Sequence, residues 1–124
     1  MPSLPTMPRL AALLCALVLP AQAQAGPDCA ALDKDAYRDG DTVPGYDAGR
    51  VVIGSGRLQF HSGPDPKCKM AGVFVIPGQS LVAYVESKGF TAVMFINKKT
   101  GDSALGWVET ARLKRDGSGI SPRP

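Results

Sequence analysis

Nucleophilic and metal chemistry require particular partners, and the 124-residue sequence contains one histidine, His61, and three cysteines, Cys15, Cys29 and Cys68. A serine or cysteine nucleophile needs a histidine base that a third group orients. Zinc needs three or four ligands, more than a lone imidazole and paired cysteines supply. Gly54, Ser55 and Gly56 lack the further glycine, the lysine and the following helix of a phosphate cradle, so they read as a tight turn. No catalytic residue, metal or cofactor is expected. His61 closes an alternating strand and reads as structural, facing a loop or partly buried.

The cysteines are read through the N-terminus. Arg9 is followed by the apolar run Leu10 to Leu19, then Pro20 and the small residues of Ala21-Gln22-Ala23-Gln24-Ala25. A run of about 10 residues is half of what a membrane-spanning helix needs and has the form of a cleavable secretory signal. Cleavage after Ala25 or Ala23 is expected, leaving a soluble, periplasmic or secreted chain with no membrane span. Cys15 leaves with the signal. Cys29 and Cys68 remain in an oxidising compartment and are expected to form one structural disulfide.

Charge divides the remainder. Residues 26–49 hold six aspartates against Lys34 and Arg38, whereas residues 50–124 hold eleven basic residues against five acids. These two segments should attract one another. The whole-chain formal charge of +3 is too small and too dispersed to imply a nucleic-acid partner. Lys67 and Lys69 on one loop, with Lys98 and Lys99 on another, are candidates to attract an acidic partner.

The elements that carry these residues are short. Fourteen glycines and eleven prolines against 6% aromatics favour strands and turns over long helices. Asp28 can cap a short helical turn through Cys29, Leu32 and Tyr37 that Gly40 would stop, and an irregular lead-in is the alternative. Strands are expected over Val51 to Ile53, Leu58 to His61, Val73 to Ile76, Leu81 to Glu86, Phe90 to Ile96 and Leu105 to Val108. Ser87, Lys88 and Gly89 make the turn of an antiparallel hairpin. A long loop spans Ser62 to Gly72, a helical turn runs from Glu109 to Arg112, and a disordered tail is expected over residues 114–124. Five or six short strands in so small a domain predict an all-β barrel over residues 50–113, with the acidic lead-in of residues 26–49 tethered to it by the disulfide.

Leu58-Gln59-Phe60-His61-Ser62-Gly63-Pro64 resembles the opening signature of bacterial SH3-like (SH3b) domains. Val73 to Gly78 matches that family's second strand and glycine turn, Phe90 with Val93 its hairpin, and Gly106-Trp107-Val108 the motif before its final helical turn, with Leu113 closing. His61 stands where arginine is usual, and Phe90 where tryptophan or tyrosine is usual. The resemblance implies a small barrel with Leu58, Phe60, Val93 and Val108 in its core. It also implies a groove for an extended ligand, with Tyr84 and Trp107 as its aromatic candidates beside Lys67 and Lys69.

The functional expectation is an exported, non-enzymatic binding module of the cell envelope, recognising a peptide, a protein or peptidoglycan. The alternative is a periplasmic inhibitor or immunity protein that neutralises a secreted toxin or hydrolase. Oligomeric state is not legible.

Overall fold

A computed structural model of the chain describes residues 2–6, 14–18 and 25–124. The expected signal, residues 1–25, therefore lies largely outside the described residues. Among the described residues, no helix is long and apolar enough to cross a membrane.

Of the two readings for the lead-in, the helix is the one that forms. Asp28 takes an extended conformation and accepts a hydrogen bond from the Ala31 amide at 3.1 Å, capping α1 (Cys29–Asp39). At the other end the Gly40 amide returns to the Ala36 carbonyl at 2.8 Å. Gly40 has φ −76°, so glycine is required here by proximity and not by a left-handed turn. A Cβ at this position would run into the Ala36 and Glu86 carbonyls and a Val85 methyl, which is how the end of α1 lies flush on a strand.

The strands are β1 (Asp41–Thr42), β2 (Gly49–Val52), β3 (Leu58–His61), β4 (Lys69–Val75), β5 (Ser80–Ser87), β6 (Phe90–Ile96), β7 (Ser103–Glu109) and β8 (Leu113–Arg115). All pairings are antiparallel, in the order β4-β3-β7-β6-β5-β2-β8, with β1 added to β5. The β5–β6 hairpin turns on Lys88 and Gly89, both at positive φ (53° and 79°), which matches the strand twist. A single apolar cluster joins Val75 of β4 to Val52 of β2, although these strands lie near opposite ends of the sheet. Such a cluster requires the sheet to curl on itself, so the small barrel-like all-β fold is as expected. Leu58, Phe60, Val93 and Val108 are all in this cluster and at most 2% exposed.

Two expectations need correction. The sheet has eight strands where five or six were expected, because β1 and β8 are too short and too polar to leave a hydrophobic pattern. The tail from Lys114 is also not free. Lys114 and Arg115 pair with Val51 and Arg50, and farther on the Gly49 amide donates to Ser118 O at 2.9 Å and the Ile120 amide to Gly45 O at 2.8 Å. Backbone pairing satisfies main-chain groups whatever the side chains are, so a charged glycine- and serine-rich sequence can still cover a strand edge.

Candidate functional site

Cys29 at the start of α1 is bonded to Cys68 at the end of the long loop, with Cα atoms 5.8 Å apart. A disulfide of this kind belongs to an oxidising, extracellular-type compartment. The loop it closes is tightly made: the Ser62 amide donates to Cys68 O, the Cys68 amide to Asp65 O, and the Lys67 amide to Asp65 Oδ1 at 2.7 Å. Lys67 and Lys69 flank the bridge with their side chains in solvent.

Trp107 is not on the surface. Its ring is 1% exposed and sits beneath α1, with Nε1 donating to Asp33 Oδ1 at 2.7 Å and the Tyr37 ring packed edge-on at 5.6 Å. A second small core of Ala36, Val85, Phe90, Ala92 and Trp107 forms there, and Tyr84 packs half-buried against it. Thus Tyr84 and Trp107 come together within a covered cluster. Trp107 also edges a hollow of 270 Å³ with Ser62 and Met70 of the expected loop, walled by Asp33 and Tyr37 of α1 and by Leu105 and Gly106, and Tyr84 is not among its lining. The helix that covers the indole comes from the acidic lead-in, which the barrel pattern alone did not include.

His61 is also internal, with Nδ1 3.1 Å from the Trp107 carbonyl oxygen and its ring edge-on to Phe90. Buried Arg50 was not singled out by sequence reasoning. Its Nη1 donates to the carbonyls of Asp47 at 2.6 Å and Gly49 at 2.9 Å, and Nη2 lies 4.0 Å from Glu86 Oε1. It ties the segment before β2 to β5 as a structural group. Tyr37 carries a phenol held above its ordinary pKa, first by partial burial and then by the charges of Asp33 and Tyr84.

What remains open is the outer face of the sheet beyond α1. Val82 pairs with Met94, and Met94 with Leu105, so the three side chains form one row across β5, β6 and β7. The next residues along are Ala92 and Trp107 on the side covered by α1, and Ile96 opposite Ser103 on the side away from it. Leu105 is 58% exposed and Ile96 51%. The signal for this face was present in the sequence: Ala92-Val93-Met94-Phe95-Ile96 is apolar at every position, the mark of a strand whose two faces are both apolar.

Past Ile96 the open face runs into a cleft. Two hollows of 480 and 310 Å³ adjoin there and share Ser80, Ile96 and Lys98. Lys99 and Asn97 border the first, and Asp116, Ser118 and Ile120 of the tail wall the second. Lys98 and Lys99, expected on a loop, are therefore part of a concave surface, far along the sequence from Lys67 and Lys69. The Asp116 carboxylate accepts from the Ser118 hydroxyl at 2.6 Å and amide at 2.8 Å, and these bonds hold it below the ordinary carboxylate pKa. A search of family models, of curated proteins and of solved structures finds no match to the chain.

Proposed function

We propose that the protein is an exported, non-enzymatic SH3-like binding module of the cell envelope, and that it recognises a peptide, protein or cell-wall ligand through the open outer face of β5, β6 and β7. The observation that carries this reading is the row Val82, Met94 and Leu105, continued by Ile96: Leu105 and Ile96 are more than half exposed and Val82 and Met94 partly so, while α1 covers Ala92 and Trp107 on the same face. Contiguous exposed apolar surface beside polar residues is how a docking site differs from scattered surface leucines. The small barrel, the order of the Leu58–Pro64 and Gly106–Val108 motifs and the disulfide support the class. The groups that a hydrolase would recruit are engaged elsewhere, His61 in the interior and both Cys29 and Cys68 in the bridge.

The test is retention of envelope proteins and of peptidoglycan by the immobilised protein, wild type against Leu105→Asp. Leu105 is largely exposed, so the substitution should leave the fold intact and abolish retention. Equal retention by both, with intact circular dichroism, would place recognition on another surface. If the retained protein is a hydrolase whose turnover stops on binding, the inhibitor function is the one in operation.

A further inference from the structure

We infer that the cleft between the end of β6 and the C-terminal tail seats an extended segment of a partner protein whose side chains alternate apolar and acidic, the apolar ones on the cleft floor and the acidic ones meeting Lys98 and Lys99. This inference rests on the binding-module reading and narrows it to one partner chemistry.

Shape is the first argument. The two hollows share Ser80, Ile96 and Lys98, so they form a trough and not two separate pits. An extended chain advances about 3.3 Å per residue and turns alternate side chains to one side, which suits a trough better than a compact small molecule does.

The lining gives the second. Val82, Met94 and Ile96 make an apolar floor that is continuous with the open sheet face. Ile120 stands against them from the tail and is 62% exposed, although the tail backbone is fixed by the Gly45 and Gly49 hydrogen bonds. A large apolar side chain held in solvent by a tied backbone is a preorganised contact, because little ordering is left to be done on binding.

Charge decides the polarity of the partner. The titratable residues lining the trough are Lys98, Lys99 and Asp116. Asp116 keeps its negative charge but is held to the Ser118 amide and hydroxyl within the tail, in the second hollow only, so the trough is net positive by one charge and its positive end lies at Lys98 and Lys99. The two ammonium groups have no such partner among the ion pairs of the described residues. An incoming carboxylate would meet two unanswered positive charges, which accelerate encounter and fix direction.

Labelled octapeptides test this by fluorescence anisotropy: one alternating leucine and glutamate, one alternating leucine and lysine, one alternating glycine and glutamate. The leucine–glutamate probe should bind at least tenfold tighter than either other probe. Lys98→Glu with Lys99→Glu, both exposed loop positions, should weaken it tenfold or more at low salt, with the difference shrinking at about 0.5 M salt as screening shortens the reach of the charges. Ile120→Asp should weaken binding of the leucine–glutamate probe at both salt concentrations. Binding of the leucine–lysine probe as tight as its acidic counterpart, or a lysine reversal that changes affinity less than twofold, would overturn the inference. The envelope partner separates this failure from that of the parent reading. A partner lost with Leu105→Asp but kept by the lysine reversal leaves the binding module standing and removes the acidic-segment assignment. A partner kept by both variants places recognition on another surface and removes the acidic-segment assignment with it.

Discussion

The indole Nε1 of Trp107 donates to Asp33 Oδ1 across 2.7 Å, joining β7 to α1. The bond defines which part of the outer face is sealed and which stays open. On the sealed side it satisfies a polar atom that burial would otherwise strand.

Asp33→Ala should therefore cost about 1–3 kcal/mol, because it leaves a buried N–H without a partner, while Asp33→Asn keeps an acceptor and should cost less. Urea denaturation followed by the emission of Trp107, the sole tryptophan, measures both. A neutral Asp33→Ala would mean that α1 does not depend on the indole bond for its seat.

Tyr37 beside that pair gives a pH prediction. Its folded pKa is raised, chiefly by burial and then by Asp33 and Tyr84. The unfolded chain therefore releases the phenolic proton first, and stability should fall as pH rises from the ordinary tyrosine value through the folded one. Absorbance titration should show one late tyrosine in the native protein, and Asp33→Asn should move it part of the way back, since burial persists.

The bridge between Cys29 and Cys68 spans a sequence separation of 39 residues, and closing such a loop contributes about 4 kcal/mol in the chain-entropy model. Cys29→Ala with Cys68→Ala should lower stability by up to that amount and still leave a folded sheet, because the larger core involves neither cysteine. In the chain from Gly26 onward, alkylation under denaturing, non-reducing conditions should add no mass. Any adduct would contradict the pairing.

The two faces of the sheet should respond differently to the same substitution. Leu58 is 2% exposed in the main core and Leu105 58% exposed on the outer face. Leu58→Ala should cost about 2–5 kcal/mol through lost burial and the cavity left behind, and Leu105→Ala less than about 0.5 kcal/mol. Comparable losses at both sites would mean that the outer face is covered in solution.

Sequence pattern served best where one physical constraint acted alone. Alternation from Leu58 to His61 needed only one buried face, and the Lys88–Gly89 turn only a backbone at positive φ, so both were readable locally. The disulfide followed from counting cysteines in an oxidising compartment. Trp107 was misplaced because amphipathic rings fit either a wet groove or a satisfied interior, and its partner Asp33 lies 74 residues away. The helix that decides between the two belongs to the acidic segment, where a short capped turn and an irregular lead-in were both open and no local signal placed either over Trp107. Lys98 and Lys99 were recognised as loop cations. That the tail turns their loop into the rim of a cleft was not readable, since nothing in residues 114–120 is apolar except Ile120.

That tail yields the last prediction. Gly119 rests directly on the backbone of Gly45 and Tyr46, where any Cβ would collide with main-chain atoms, so one of the two segments must shift. Gly119→Ala should lift the strap from this point, breaking the Ile120-to-Gly45 bond and loosening the one from Gly49 to Ser118. The global cost should be only about 1–2 kcal/mol, because these are peripheral backbone bonds whose groups regain water. Hydrogen exchange should show it directly, with the Gly49 and Ile120 amides losing protection while the Val93 amide keeps its own. Acid should act on the same strap through Asp116. Its folded carboxylate is held below the ordinary range by the Ser118 hydroxyl and amide, so its contribution is present above that range and is lost as pH falls through the folded value. The loss should be small, since the carboxylate is exposed and its bonds compete with water. Ser118→Ala should remove the hydroxyl's part and bring acid loosening to a higher pH. Protection at Gly49 that is unchanged in Gly119→Ala would show that the strap is not held at the glycine contact.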